Sequence, residues 1–156
     1  MKTLFQIAGA IILTIFVVTC GSRNVQNLKS SASSESTESI TEKYWKLIEI
    51  NGKPLVLDES CAREPFIILK NENHRVNGNG GCNTLFGTYQ ITQGNRIKFS
   101  QMASTMMACL NMEIETELKK VLEMADNYSV SADGKYLSLN RARMAPLARF
   151  EVVYLK

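Results

Sequence analysis

Gly80-Gly81-Cys82-Asn83-Thr84-Leu85-Phe86-Gly87-Thr88-Tyr89 is the stretch whose reading decides the fold. Paired glycines reach backbone angles that residues with a Cβ avoid, so they mark a tight turn. Beyond them Leu85, Gly87, Tyr89 and Ile91 recur at a two-residue period, with Phe86, Thr88 and Gln90 on the opposite face. That spacing predicts a strand with one side in a core.

Downstream, Gln93-Gly94-Asn95 closes a turn and Arg96-Ile97-Lys98-Phe99-Ser100 alternates again, with Ile97 and Phe99 inward. After Ser104-Thr105-Met106-Met107-Ala108-Cys109 the period changes. From Met112, the residues Ile114, Leu118, Val121, Leu122 and Ala125 fall at helical spacing, with Glu113, Glu115 and Glu117 toward the positive end of the helix dipole. Asn111 is the expected cap and Asp126-Asn127 the expected stop. Three more strands are expected: Tyr128–Ser131, Tyr136–Leu139 beyond the Ala132-Asp133-Gly134 turn, and Arg149–Leu155.

Upstream, Tyr44–Ile50 is rich in aromatic and β-branched residues and ends at Asn51-Gly52, a reverse-turn pair. Leu55-Val56-Leu57 is expected as a short second strand before an acidic loop, Asp58 to Glu64, that carries Cys61. Phe66–Leu69 and Arg75–Asn77 read as strands joined by a turn over Asn71–His74. Many short strands with regularly spaced turns and one helix predict a mostly β, α+β domain. The sheet would be a small antiparallel barrel or strongly curved, with the helix covering an open end or gap.

The N-terminus reads as an address. Lys2 precedes an apolar run to Val18-Thr19-Cys20, of signal-peptide length. Val17-Val18-Thr19-Cys20 resembles a bacterial lipobox, although Thr19 stands where a smaller residue is usual. The resemblance implies a signal peptide over residues 1–19 and lipidation of Cys20. Residues 20–41 are rich in Ser, Glu and Asn, too polar to offset the entropy of ordering, and are expected to be a flexible tether. Residues 42–156 are then a single domain. Without Lys2 the mature chain carries 17 basic and 15 acidic side chains, a balance that argues against nucleic acid as a partner.

Trp45-x-Leu47, Asn51-Gly52-Lys53-Pro54, Gly80-Gly81-Cys82-Asn83 with Phe86 and Tyr89, Thr105-Met106-Met107-Ala108-Cys109, the helix and Leu137-x-Leu139 together resemble the META/HslJ family of small bacterial envelope proteins. The resemblance spans the folded domain. It implies a lipocalin-like topology with one helix and an association with envelope stress. It supplies no catalytic residues.

With Cys20 lipidated, Cys61, Cys82 and Cys109 remain in an exported protein where oxidation is permitted. One pair and one free thiol are expected, and the sequence leaves the pairing open. Cys82 and Cys109 are the favoured pair, since both are motif positions that folding could bring together; two buried free thiols are the alternative. Met102, Met106, Met107 and Met112 form a sulfur-rich run whose thioethers suit monovalent copper, against the reading that they fill the core beside the helix. His74 lies in a polar turn and is expected to be solvated.

No nucleophile, base or carboxylate constellation stands out, and Asn77-Gly78-Asn79-Gly80-Gly81 leads into a strand, where a phosphate loop needs a helix. The expected protein is therefore a non-enzyme without cofactor. It would be an outer-membrane lipoprotein facing the periplasm, since Gly21-Ser22 carries no acidic retention residue. Its partner would be an envelope protein or a small apolar ligand in a pocket beside Tyr89, Phe99 and the helix. Copper handling, and hydrolase inhibition through the loop from Asp58 to Glu64, are the alternatives.

Overall fold

The computed structural model describes residues 39–57, 63–143 and 145–154. The expected signal peptide, Cys20, the tether up to Glu38 and Cys61 lie outside the described residues.

The strands are β1 (Tyr44–Ile50), β2 (Lys53–Pro54), β3 (Phe66–Leu69), β4 (Arg75–Asn79), β5 (Thr84–Thr92) and β6 (Arg96–Ser104). The helix α1 (Glu113–Met124) is followed by β7 (Asn127–Val130), β8 (Tyr136–Asn140) and β9 (Ala148–Val153). All nine strands of the described residues join one antiparallel sheet in the order β2-β1-β3-β4-β5-β6-β7-β8-β9. Because β1 also pairs with β9, the sheet closes on itself into a ring, with β2 a short spur on β1. The mostly β architecture with one helix is thus what the chain forms.

Alternation fixes the inside of the ring. Trp45 and Leu47 of β1, Ile67 and Leu69 of β3, Leu85 and Tyr89 of β5, Ile97 and Phe99 of β6, Leu137 and Leu139 of β8, and Phe150 of β9 are all buried. Each large apolar side chain taken out of water contributes roughly 1.5–3 kcal/mol. Trp45 donates its indole N–H to the Ile40 carbonyl at 2.8 Å, and Ile40 itself is buried. The core therefore takes in Ile40, upstream of the boundary expected at Glu42.

The ring is weakest between β6 and β7, which share the single register pair Arg96 with Asn127. Helix α1 packs against β6 and buries Leu118, Val121 and Leu122. It covers the gap where strand pairing stops, as the amphipathic pattern requires.

Three details differ from the sequence reading. Leu55–Leu57 is not a strand: the turn at Asn51 (φ 50°) and Gly52 (φ 76°) sets Lys53 opposite Ile50 at once, so pairing is spent on Lys53–Pro54. Strand β4 continues to Asn79, and β6 runs on to Ser104 rather than ending at Ser100. The extension of β6 passes through a bulge, in which Gln101 (φ 54°) and Met102 face the single residue Gly87 of β5. A Cβ on Gly87 would lie 2.5 Å from Met102 Sδ and 3.0 Å from the Ser100 carbonyl oxygen, so the bulge packs closely over glycine there.

Candidate functional site

Gly80–Asn83 and Thr105–Cys109 converge at one end of the ring, where the turn between β4 and β5, the loop after β6 and the start of α1 meet. Cys82 and Cys109 are joined by a disulfide, with Cα atoms 6.1 Å apart. The favoured pairing therefore forms, and two thiols leave the pool of soft ligands.

Asn83, only 1 % exposed, is the hub beside that bond. Its Oδ1 accepts from the Met107 N–H at 2.7 Å and from Thr105 Oγ1 at 2.8 Å. Its Nδ2 donates to the Met107 carbonyl and to Glu115 Oε1, both at 3.2 Å. Its backbone N–H donates to Glu115 Oε2 at 2.8 Å, and its carbonyl accepts from the Gly80 N–H at 2.9 Å. Every polar group of this buried residue is thus occupied, as burial demands.

Glu115 is also 1 % exposed and is the residue that sequence reasoning missed. Beside Glu113 and Glu117 it reads as one of three acids complementing the helix dipole. Its position three and seven residues before Leu118 and Leu122 is the signal that places it on the buried stripe. Its Oε1 also accepts from Lys119 Nζ at 3.3 Å, and Lys119 donates in turn to Ser104 Oγ at 3.0 Å. The carboxylate thus meets an ammonium group and two amide donors, the compensation that a buried charge requires.

The glycines serve this junction. A Cβ on Gly80 would lie 2.5 Å from Glu115 Cγ, so only glycine lets the helix approach. Gly81 has φ 108° and donates its N–H to Asn79 Oδ1 at 2.8 Å. The N–H groups of Gly80 and Gly81 are consumed by Asn83 and Asn79, which leaves neither for an anion.

What this knot holds out is apolar. Met106 is 99 % exposed, Leu110 96 % and Met107 54 %, on the uncharged loop from Thr105 to Met112. The reading of these methionines as core fillers holds only for Met102, which packs over Gly87 against the core. Met102 therefore stands apart from Met106, Met107 and Met112 on the exposed loop. Of the other motif residues, Trp45 and Tyr89 are buried and Tyr89 donates its hydroxyl to the Lys70 carbonyl at 3.1 Å. Phe86 lies on the outer face of the sheet and is partly exposed. His74 sits edge-on to Tyr89, with ring centroids 5.6 Å apart.

A glycine turn, a buried Asn-Glu pair and a disulfide arranged in this order are features of a whole domain, and the model of the META domain matches residues 38–154. The chain belongs to the META domain family. Among solved structures, this META domain is similar to a protein determined by NMR, at 19 % identity and a TM-score of 0.55 over 72 % of this chain and 91 % of that one. It is equally similar to an NMR structure of a protein from Burkholderia xenovorans, at 19 % identity and 0.55 over 73 % and 83 % of the two chains. A DUF4847 family protein from Bacteroides vulgatus ATCC 8482, in a crystal structure, matches at 15 % identity and 0.51 over 73 % and 94 %. At these identities the likeness is one of fold. No curated protein matches the chain.

The inside of the META ring is packed with side chains: Trp45, Leu47, Leu85, Leu118, Leu122 and Phe150 are at most 1 % exposed. Three surface hollows among the described residues lie outside the ring. One, of about 390 Å³, runs between β6 and the end of α1 beside Ile97, Met124 and Asp126. Asp126 holds its carboxyl below the ordinary range chiefly by accepting the Ala142 N–H, aided by Asn127 and then by Arg96 and Arg141. None of these hollows adjoins the apolar loop.

Proposed function

We propose that this META domain is a non-enzymatic binding module of the bacterial cell envelope, lipid-anchored through Cys20 on the periplasmic face of the outer membrane. It contributes to envelope stress tolerance by taking a protein partner on the loop from Thr105 to Met112. The observation that carries the reading is the exposure of Met106 and Leu110 on a backbone fastened by the disulfide and by Asn83. A large apolar surface that cannot fold away is costly in water and marks an interaction site. Unbranched methionine adapts to irregular partner surfaces.

The occupant is argued from shape and charge. Met106 and Leu110 stand almost wholly in solvent, which suits insertion into a partner rather than capture of a small molecule, and the ring interior is already filled. It runs directly into Glu113, with Glu117 one turn on, and these acids disfavour an anionic lipid surface. The partner that fits is a protein with an apolar recess rimmed by basic groups.

A photo-crosslinking residue in place of Leu110, in intact cells, tests this. The expected result is capture of one envelope protein which, once purified, binds the wild-type domain and binds the M106K variant at least about tenfold more weakly. Capture of lipid alone, or equal binding by M106K, overturns the reading. Hydrolase inhibition is the second reading, favoured by the same filled core and by the exposed loop from Thr105 to Met112; residues 58–62 of the loop from Asp58 to Glu64 lie outside the described residues. It requires that the captured protein be a hydrolase whose activity falls on binding.

A further inference from the structure

We propose that Met106 and Met107 are an oxidant-responsive modification site, at which peroxide turns an apolar loop tip polar without disturbing the fold. The two thioethers stand in solvent, Met106 at 99 % and Met107 at 54 % exposure, whereas Met102 is packed over Gly87 against the core. The reaction needs only access. A lone pair on Sδ attacks one peroxide oxygen, the O–O bond breaks, and the departing hydroxide takes up the proton and leaves as water. Sulfur loses two electrons to become the sulfoxide and the peroxide is reduced. Return to the thioether requires two thiols, which leave as a disulfide while the sulfoxide oxygen departs as water.

The fold tolerates the change because nothing that fastens the loop uses these sulfurs. Met107 is held through its backbone, its N–H donating to Asn83 Oδ1 at 2.7 Å and its carbonyl accepting from Asn83 Nδ2 at 3.2 Å. The Cys82–Cys109 bond holds the other side and is already oxidised. On a stretch from Ser104 to Met112 with no charged residue, a sulfoxide dipole is a large change in surface polarity. Met112 and Met124, at 37 % and 38 % exposure, stand between the two extremes, and the Met124 sulfur also has Arg141 Nη1 at 3.9 Å. The consequence for a partner rests on the binding role proposed above; the chemistry does not.

The test is hydrogen peroxide treatment of the full chain purified in detergent, with the sulfoxide at each methionine followed by peptide mass mapping. Met106 and Met107 are expected to oxidise at least about tenfold faster than Met102, with the thermal midpoint unchanged. The M106L/M107L variant is expected to lose the fast phase and keep the same midpoint. Met102 keeping pace with Met106, or a fall in the midpoint once the first two sulfoxides form, overturns the proposal. Crosslinking through Leu110 separates the two ideas. If neither the oxidised nor the untreated chain captures a protein, the binding role fails while the mapping still decides the modification site.

Discussion

Glu115 on the first turn of α1 and Asn83, the last residue before β5, hold each other through two hydrogen bonds, Asn83 N–H to Oε2 at 2.8 Å and Asn83 Nδ2 to Oε1 at 3.2 Å. This pair ties the helix to the ring at the point where the sheet has no strand to offer. Glu115→Ala leaves the buried Asn83 backbone N–H without its acceptor and the Asn83 Nδ2 with the Met107 carbonyl alone, and is expected to cost about 2–4 kcal/mol. Glu115→Gln keeps one acceptor and is expected to cost less. Chemical denaturation of both variants checks the order, and a Glu115→Ala cost below about 0.5 kcal/mol contradicts it.

Gly80→Ala is expected to destabilise by about 1–3 kcal/mol, because its methyl carbon meets Glu115 Cγ at 2.5 Å and Glu115 Cβ at 2.8 Å. The shift required falls on the helix. In hydrogen exchange, the amides of α1 should lose protection while those paired between β3 and β4 keep theirs. Uniform loss across the domain would show that the clash is not local.

Replacing Cys82 and Cys109 together by serine opens a link spanning 27 residues and is expected to cost about 3–4 kcal/mol in the chain-entropy account. Limited proteolysis should then cut between Thr105 and Met112, where the wild-type chain is expected to resist. Equal resistance in both proteins would mean that Asn83 alone fixes the loop.

Trp45→Phe removes the indole donor to the Ile40 carbonyl and opens a small cavity, for an expected loss of about 1–3 kcal/mol. Trp45→Ala should cost about 3–5 kcal/mol. Ile40→Ala should also destabilise, because Ile40 is core rather than tether. Ile40→Ala with an unchanged denaturation midpoint would place the domain boundary back at Glu42.

The Asp126 carboxyl is held below its ordinary range by the Ala142 N–H first, then by Asn127, Arg96 and Arg141. A carboxylate favoured in the folded state stabilises at pH above the ordinary aspartate value of 3.8 and loses that contribution as pH falls through the lowered folded value. Asp126→Asn should therefore flatten the acid side of a plot of thermal midpoint against pH while leaving its neutral side parallel to wild type. Identical acid slopes would rule Asp126 out as a contributor.

Much of the fold was legible because it rests on short-range pattern. The alternation in Arg96–Ser100 and the turn at Asn51-Gly52 need only neighbours to be read, and the helix followed from the spacing of Leu118, Val121 and Leu122. Lengths were less legible. Strand β6 reaches Ser104 because Gln101 accepts a positive φ opposite Gly87, and no residue type announces such a bulge. At the site, family resemblance points to Cys82, Asn83, Thr105 and Cys109 and favours pairing the two cysteines, but it does not give the roles of Asn83 and Thr105. Which side of the loop faced inward could not be read from Met106 and Met107, since methionine serves equally in a core and on a surface.

The sequence by itself determined a set of short antiparallel strands, as a barrel or a strongly curved sheet, with one amphipathic helix, since periods of two and of 3.6 residues are written locally in the chain. Tertiary structure alone decided that Cys82 meets Cys109, that Glu115 is buried against Asn83, and that Met106 and Leu110 are left in water. Those outcomes depend on contacts between segments 20 to 35 residues apart, whose geometry is set only when the sheet closes and the helix enters its gap. A carboxylate in a helix's first turn is ordinarily solvated; this one is buried because the ring delivers the Asn83 amide donors to it.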